Sequence, residues 1–138
     1  MTVTFDVIGI PKPQGSMKAF AVGGRARMKP SGGADFAAWR NAVAEAARNV
    51  AGDAPLEGPL RLTVSFQFPM PKSRPKAMRA NGVGYKTTAP DLDKLVRTIG
   101  DALTASGLIR DDALIAELVA TKAEVTSWTG ATITVEAL

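Results

Sequence analysis

The chain has 138 residues, with 17 Lys plus Arg against 13 Asp plus Glu and a formal net charge of +4. It contains no Cys and no His, which excludes disulfides, thiolate or imidazole metal sites, Cys nucleophiles and Ser-His triads. Any metal must then be held by oxygen, which favours Mg²⁺ or Mn²⁺, and the length suits one domain over 1–138.

The first strand is expected over residues 2–10, where Val3, Phe5 and Val7 alternate before Pro11, Pro13 and Gly15 break the run. Lys18–Val22 and Arg25–Met28 flank Gly23-Gly24, a pattern that predicts a hairpin. A helix is expected at about 35–50, with Phe36, Trp39, Val43, Ala47 and Val50 on its buried stripe and Asp35 near its start. Residues 60–68 alternate cleanly through Leu60, Leu62, Val64, Phe66 and Phe68, the clearest strand in the chain. A polar passage rich in Pro, Lys and Arg follows at 69–90 and reads as a long functional loop.

A second helix is expected over 91–105, with Leu92, Leu95, Val96, Ile99 and Leu103 inward, Pro90 in its first turn, Thr88 or Ala89 as cap, and Gly107 as its end. Residues 114–126 carry both periods, since Ile115, Val119, Thr121 and Val125 suit a strand while Leu114 and Leu118 suit a helix; the strand reading is adopted. Residues 131–137 alternate again and give the last strand. The sum is an α+β domain: a mixed β-sheet of about four to five strands with helices packed on one face. No apolar run matches a membrane span and no signal-peptide pattern opens the chain, so a cytoplasmic location is expected.

Charge is unevenly spread. Every charge between Asp6 and Asp35 is positive (Lys12, Lys18, Arg25, Arg27, Lys29), and so is every charge between Glu57 and Asp91 (Arg61, Lys72, Arg74, Lys76, Arg79, Lys86). Acids crowd instead into 91–124. Solvated basic loops would give the same count, but basic stretches beside an acidic cluster also suit a polyanion held by one part and processed by another.

The acidic cluster holds the candidate chemistry. Asp91 and Asp93 open the second helix, and Asp111-Asp112 follow about twenty residues later. Carboxylate-held Mg²⁺ can hydrolyse a phosphodiester without histidine. Residues two apart do not share a helix face, so joint use of Asp91 and Asp93 requires one of them to sit in the cap or first turn. Ordinary structure accounts for the same residues: the helix dipole favours an N-terminal Asp, Asp93–Arg97–Asp101 has ion-pair spacing, and Asp111-Asp112 suits a turn.

The wider pattern resembles the RusA family of Holliday-junction resolvases, small endonucleases common in prophages. The resemblance rests on Pro90-Asp91-Leu92-Asp93-Lys94-Leu95, on Asp101-Ala102-Leu103, on Asp111-Asp112 with Ile115, on Lys122, and on the opening Gly9-Ile10-Pro11-Lys12-Pro13-Gln14-Gly15-Ser16. It implies a homodimer that binds four-way DNA junctions and makes paired Mg²⁺-dependent nicks in recombination and repair, Mn²⁺ substituting, with no organic cofactor and no membrane. It places the catalytic, metal-holding aspartates on Asp91, Asp93 and Asp112, and a catalytic lysine on Arg97. Arginine keeps the positive charge but cannot donate a proton near neutral pH; Lys94, where the family often has Asn, is the candidate to share that role. Asp111 is the weaker member of its pair, because adjacent residues usually point apart. Lys122 is expected either near the site or in an ion pair with Glu124 or Glu117. Lys12, Lys18, Arg25, Arg27, Lys29, Lys72, Arg74, Lys76, Arg79 and Lys86 are the expected phosphate contacts. Three other readings stay open: a non-catalytic branched-DNA-binding phage protein on this fold, a metal-dependent nuclease of flaps or forks, and a structural or regulatory phage-type protein whose acids are surface ladders.

Overall fold

The computed structural model describes residues 1–15, 17–22, 25–30 and 33–138, and among these the side chains of all but 17–22 and 25–30. In chain order the elements are β1 (Thr2–Ile8), β2 (Met17–Val22), β3 (Arg25–Pro30), α1 (Gly33–Val50), β4 (Leu60–Pro69), α2 (Lys76–Asn81), β5 (Val83–Tyr85), α3 (Leu92–Ser106), a 3-10 turn (Asp112–Leu114), β6 (Ile115–Val125) and β7 (Gly130–Ala137).

The strand with the cleanest alternation lies at the centre. β4 pairs antiparallel with β7 on one side and parallel with β6 on the other, in a five-stranded sheet of order β1-β7-β4-β6-β5. Leu60, Leu62, Val64, Phe66 and Phe68 are buried on one face, each worth about 1.5–3 kcal/mol of burial. A parallel neighbour cannot be reached by a hairpin; α3 lies in the crossover from β4 to β6, and brings Leu95, Ile99, Ala102 and Leu103 onto the buried face beside Trp39, Val43 and Ala47 of α1. The opposite face is polar: Thr4 bonds Thr134, Thr132 donates to Asp6, and Arg61 bridges Glu117 and Glu136. Period-two alternation thus fixes which face meets the helices.

The ambiguous segment 114–126 is strand, because β4 offers it a full parallel ladder from Arg61–Glu117 to Pro69–Val125. The expected hairpin exists as a separate two-stranded sheet in which Val22 lies opposite Arg25, while its turn at Gly23-Gly24 falls outside the described residues. The passage 69–90 is not loop throughout. It holds α2, closed by Gly82 in the left-handed region (φ 80°), and β5, which pairs with the end of β6. No helix among the described residues is long and apolar enough to cross a membrane.

Candidate active site

Asp91 is itself the N-cap of α3, two to three residues later than the sequence suggests. Its backbone is extended (φ −68°, ψ 136°), and its carbonyl accepts the first helical bond, from Leu95 N–H at 3.1 Å. Pro90 therefore precedes the cap. The boundary position that joint use of Asp91 and Asp93 requires is met, since one residue is cap and the other lies in the first turn. The Asp91 carboxylate makes no capping hydrogen bond. Its charged neighbour is Lys94, with Nζ 3.8 Å from Oδ2, and both side chains are well exposed, so the pair is weak. Arg97 is exposed and, among the described residues, makes no ion pair. The Asp93–Arg97–Asp101 ladder allowed by spacing is not formed at ion-pair distance.

Two further segments converge on α3. The loop after β1 is pinned to its first turns: Gln14 N–H donates to the Lys94 carbonyl at 3.0 Å, and the buried Thr98 hydroxyl donates to the Lys12 carbonyl at 3.0 Å. Buried Leu108 and Ile109 anchor the approach to the second acidic pair, with Leu56 N–H on the Leu108 carbonyl and Arg110 N–H on the Leu56 carbonyl. Asp111 then caps the 3-10 turn, accepting from Ala113 N–H at 2.9 Å. Asp112 lies over α3 at Gly100, where an added Cβ would stand 3.4 Å from the Asp112 Cβ and 3.5 Å from its Oδ2.

The two adjacent acids influence each other's titration. Their carboxyls share a hydrogen bond, which, ahead of desolvation and the repulsion of Asp111 and Asp101, pushes Asp112 above the ordinary value of 3.8. The Ala113 N–H, and then that same bond, hold Asp111 below it.

The carboxylates are hard oxygen donors, of the kind a divalent cation takes. Their placement is less complete. Among the described residues no three acids are grouped closely enough to hold a metal ion. Asp91 and Gly100 are nine residues apart along α3, about 13.5 Å at the helical rise, so Asp112 sits beside the third turn rather than the first. Helical side chains also lean toward the N-terminus, which tilts Asp93 away from Asp112.

The model of the RusA endodeoxyribonuclease family matches residues 9–136. The chain belongs to that family. No curated protein matches the sequence. Membership in the RusA family makes the chain an endodeoxyribonuclease by descent, a class that hydrolyses phosphodiesters within a DNA strand. The matched span takes in both the pinned N-terminal loop and the acids on and beside α3.

Around the RusA-family acids the expected phosphate contacts divide into groups. Lys72, Lys76 and Arg79 are exposed on and before α2. Lys12 lines a cleft of about 360 Å³ with Ile8, Gly9, Ile10, Asp35 and Trp39, and none of the candidate carboxylates lines it. Lys18, Arg25, Arg27 and Lys29 lie on β2 and β3, where Lys18 is opposite Lys29; their side chains fall outside the described residues. Arg74 and Lys86 are engaged within the chain. Glu124, 1% exposed, accepts from Arg74 Nε at 2.7 Å and Nη2 at 2.9 Å, and Lys86 Nζ lies 3.7 Å away. Lys86 also sits 5.2 Å over the Phe68 ring and donates to Thr88 Oγ1. Sequence reasoning named Glu124 only as a possible partner of Lys122 and missed its burial beside Arg74, since nothing in its neighbourhood marks a buried charge.

Lys122 pairs with neither Glu124 nor Glu117. Glu124 is taken by Arg74, and Glu117 by Arg61 at 2.6 Å. The Lys122 ammonium donates instead to the carbonyls of Thr88 and Pro90, each at 2.7 Å.

Proposed function

We propose that this chain is a Holliday-junction resolvase that nicks four-way DNA in recombination and repair, using Mg²⁺ or, in its place, Mn²⁺. The observation that carries the reading is the family match over nearly the whole chain. Arg97 supports it, because the ion-pair ladder of the purely structural reading would employ it and among the described residues it makes no ion pair.

In this reading Asp91, Asp93 and Asp112 are the ligands. The chemistry that a divalent cation held there would supply is an activated water and neutralised charge on the phosphate. The chain's own groups do the rest. Arg97, with Lys94 one turn from Asp91, offers fixed positive charge to the phosphate oxygens. Lys72, Lys76 and Arg79, with Lys12 and the basic residues of β2 and β3, hold backbone phosphates of the arms, so binding is salt-dependent and largely independent of sequence. Two copies of the chain, as a homodimer, supply the two sites that paired nicks need.

The test is Asp93→Asn assayed with Mg²⁺ on a four-way junction beside a fork, a flap and a linear duplex. Junction binding is retained and nicking lost; undiminished nicking would remove Asp93 from the chemistry. Faster wild-type nicking of forks or flaps would change the substrate. The ungrouped acids favour one second reading, a branched-DNA-binding protein without catalysis. It predicts no heat of Mn²⁺ binding to the isolated protein and no nicking of any substrate.

A further inference from the structure

Asp91 has no side-chain bond of its own that fixes its direction. Its position is set by the backbone that enters the helix, and a charged group from another element holds that backbone. In the parallel register Lys122 is the partner of Phe66, so it projects from β6 toward the helix side of the sheet. There its ammonium takes the Thr88 and Pro90 carbonyls together, both at 2.7 Å. An ammonium has three N–H donors, so two of them tie down the two peptide planes just before the cap. The Pro90 carbonyl belongs to the Pro90–Asp91 peptide itself; fixing it fixes the direction in which the Asp91 side chain leaves the backbone.

The clamp is braced by Lys86, the residue that follows β5. Lys86 donates to Thr88 Oγ1 at 3.0 Å, its N–H bonds the Lys122 carbonyl at 3.0 Å, and its ammonium faces buried Glu124. We infer that Lys122 is a positioning residue, holding residues 88–90 so that the Asp91 carboxylate faces outward from the start of α3. The inference rests on the reading of Asp91 as a catalytic carboxylate.

Its test compares Lys122→Met, which keeps the stem and loses the donors, with Lys122→Arg, which keeps donors and charge, and with Asp91→Asn as reference. Melting followed by circular dichroism confirms that each protein is folded. A misplacement of about 1 Å at a reacting group costs ~10²-fold in rate, so Lys122→Met lowers the nicking rate at saturating junction by about that factor. Junction affinity measured in Ca²⁺ stays unchanged, the heat of Mn²⁺ binding to the protein without DNA weakens, and Lys122→Arg recovers most of the nicking. A merely structural lysine would lower melting temperature and junction binding together and leave the rate of the folded fraction intact, which overturns the inference. So does wild-type nicking and Mn²⁺ binding by Lys122→Met when Asp91→Asn is inactive. If Asp91→Asn itself nicks normally, the reading of Asp91 fails and the inference with it. Should Lys122→Met not fold, Lys122→Gln, with a single shorter donor group, is judged by the same measurements.

Discussion

Asp112 is seated against Gly100, with its Cβ and carboxylate at ordinary packing distance from where a methyl group on that glycine would stand. The contact sets the height of Asp112 along α3 and gives Gly100 two separable roles. A helix-interior glycine costs about 0.5–1 kcal/mol relative to alanine, and the 3.4 Å clearance admits a methyl group. Gly100→Ala is therefore expected to raise stability by up to that amount, with nicking close to wild type. Gly100→Leu has no room beneath Asp112 and displaces it, so nicking falls by ~10²-fold while the helix persists. Chemical denaturation and a junction-nicking assay on both variants check the pair; Gly100→Leu with normal nicking would free Asp112 from any role that needs this seat.

Acid stability should report on Glu124. Its hydrogen bonds from Arg74, against the opposing effect of burial, hold its carboxyl below the ordinary value of 4.5. A carboxyl with a depressed folded-state pKa contributes stability above the unfolded value and loses it as pH falls through the folded value. Glu124→Gln is thus less stable than wild type at neutral pH. The gap closes progressively below about pH 4.5, where the wild type starts to lose what the variant never had. Melting temperature against pH for both proteins measures this, and a constant gap down to about pH 3 would show that the Arg74–Glu124 pair carries no linked proton.

The strands were legible in the sequence because one face of the sheet is buried, and alternation such as Leu60–Phe68 is how a chain records that asymmetry. What was illegible depended on partners far away in sequence. The cap of α3 was read at Thr88 or Ala89 because Pro favours the first helical turn; in the structure Lys122 holds the Thr88 and Pro90 carbonyls toward β6, and the helix does not begin until after Asp91. α2 and β5 are too short to show a full period. Arg74 and Lys86 read as free basic residues since charge counting cannot see that Glu124, separated from them by much of the chain, is buried between them. The D-x-D and Asp111-Asp112 motifs were visible at once, yet their separation along α3 follows from tertiary packing on Gly100, which spacing does not encode.

Exposed α2 offers a direct measure of the DNA contact. Lys76 and Arg79 are both exposed, whereas Arg74 is committed to Glu124. Each duplex phosphate contact adds ~0.9 to the slope of log affinity against log salt. Lys76→Ala with Arg79→Ala should weaken junction binding and reduce that slope by up to about 2 at unchanged melting temperature. Arg74→Ala instead strips the buried Glu124 carboxylate of its two short hydrogen bonds and leaves it only Lys86 at 3.7 Å, so its main effect is a lower melting temperature. An unchanged slope in the double variant would move the arm contact away from α2.

Arg97 stands where the family pattern expects lysine, and its freedom from ion pairs makes it a clean site to test. Because no carboxylate among the described residues lies within pairing distance of it, Arg97→Ala should shift stability by no more than about 0.5 kcal/mol. Junction binding should survive. If Arg97 presents charge to the phosphate as it reacts, losing it lowers the nicking rate by ~10²–10³-fold, the range for removing one preorganised donor. Arg97→Lys keeps the charge one helical turn after Asp93 and adds a group able to release a proton, so it should nick at least as fast as wild type. Equal loss in both variants would mean that the planar two-point donation of a guanidinium is what the site needs. No loss in Arg97→Ala would transfer the electrostatic role to Lys94, and Lys94→Ala in that background would then be the inactive protein.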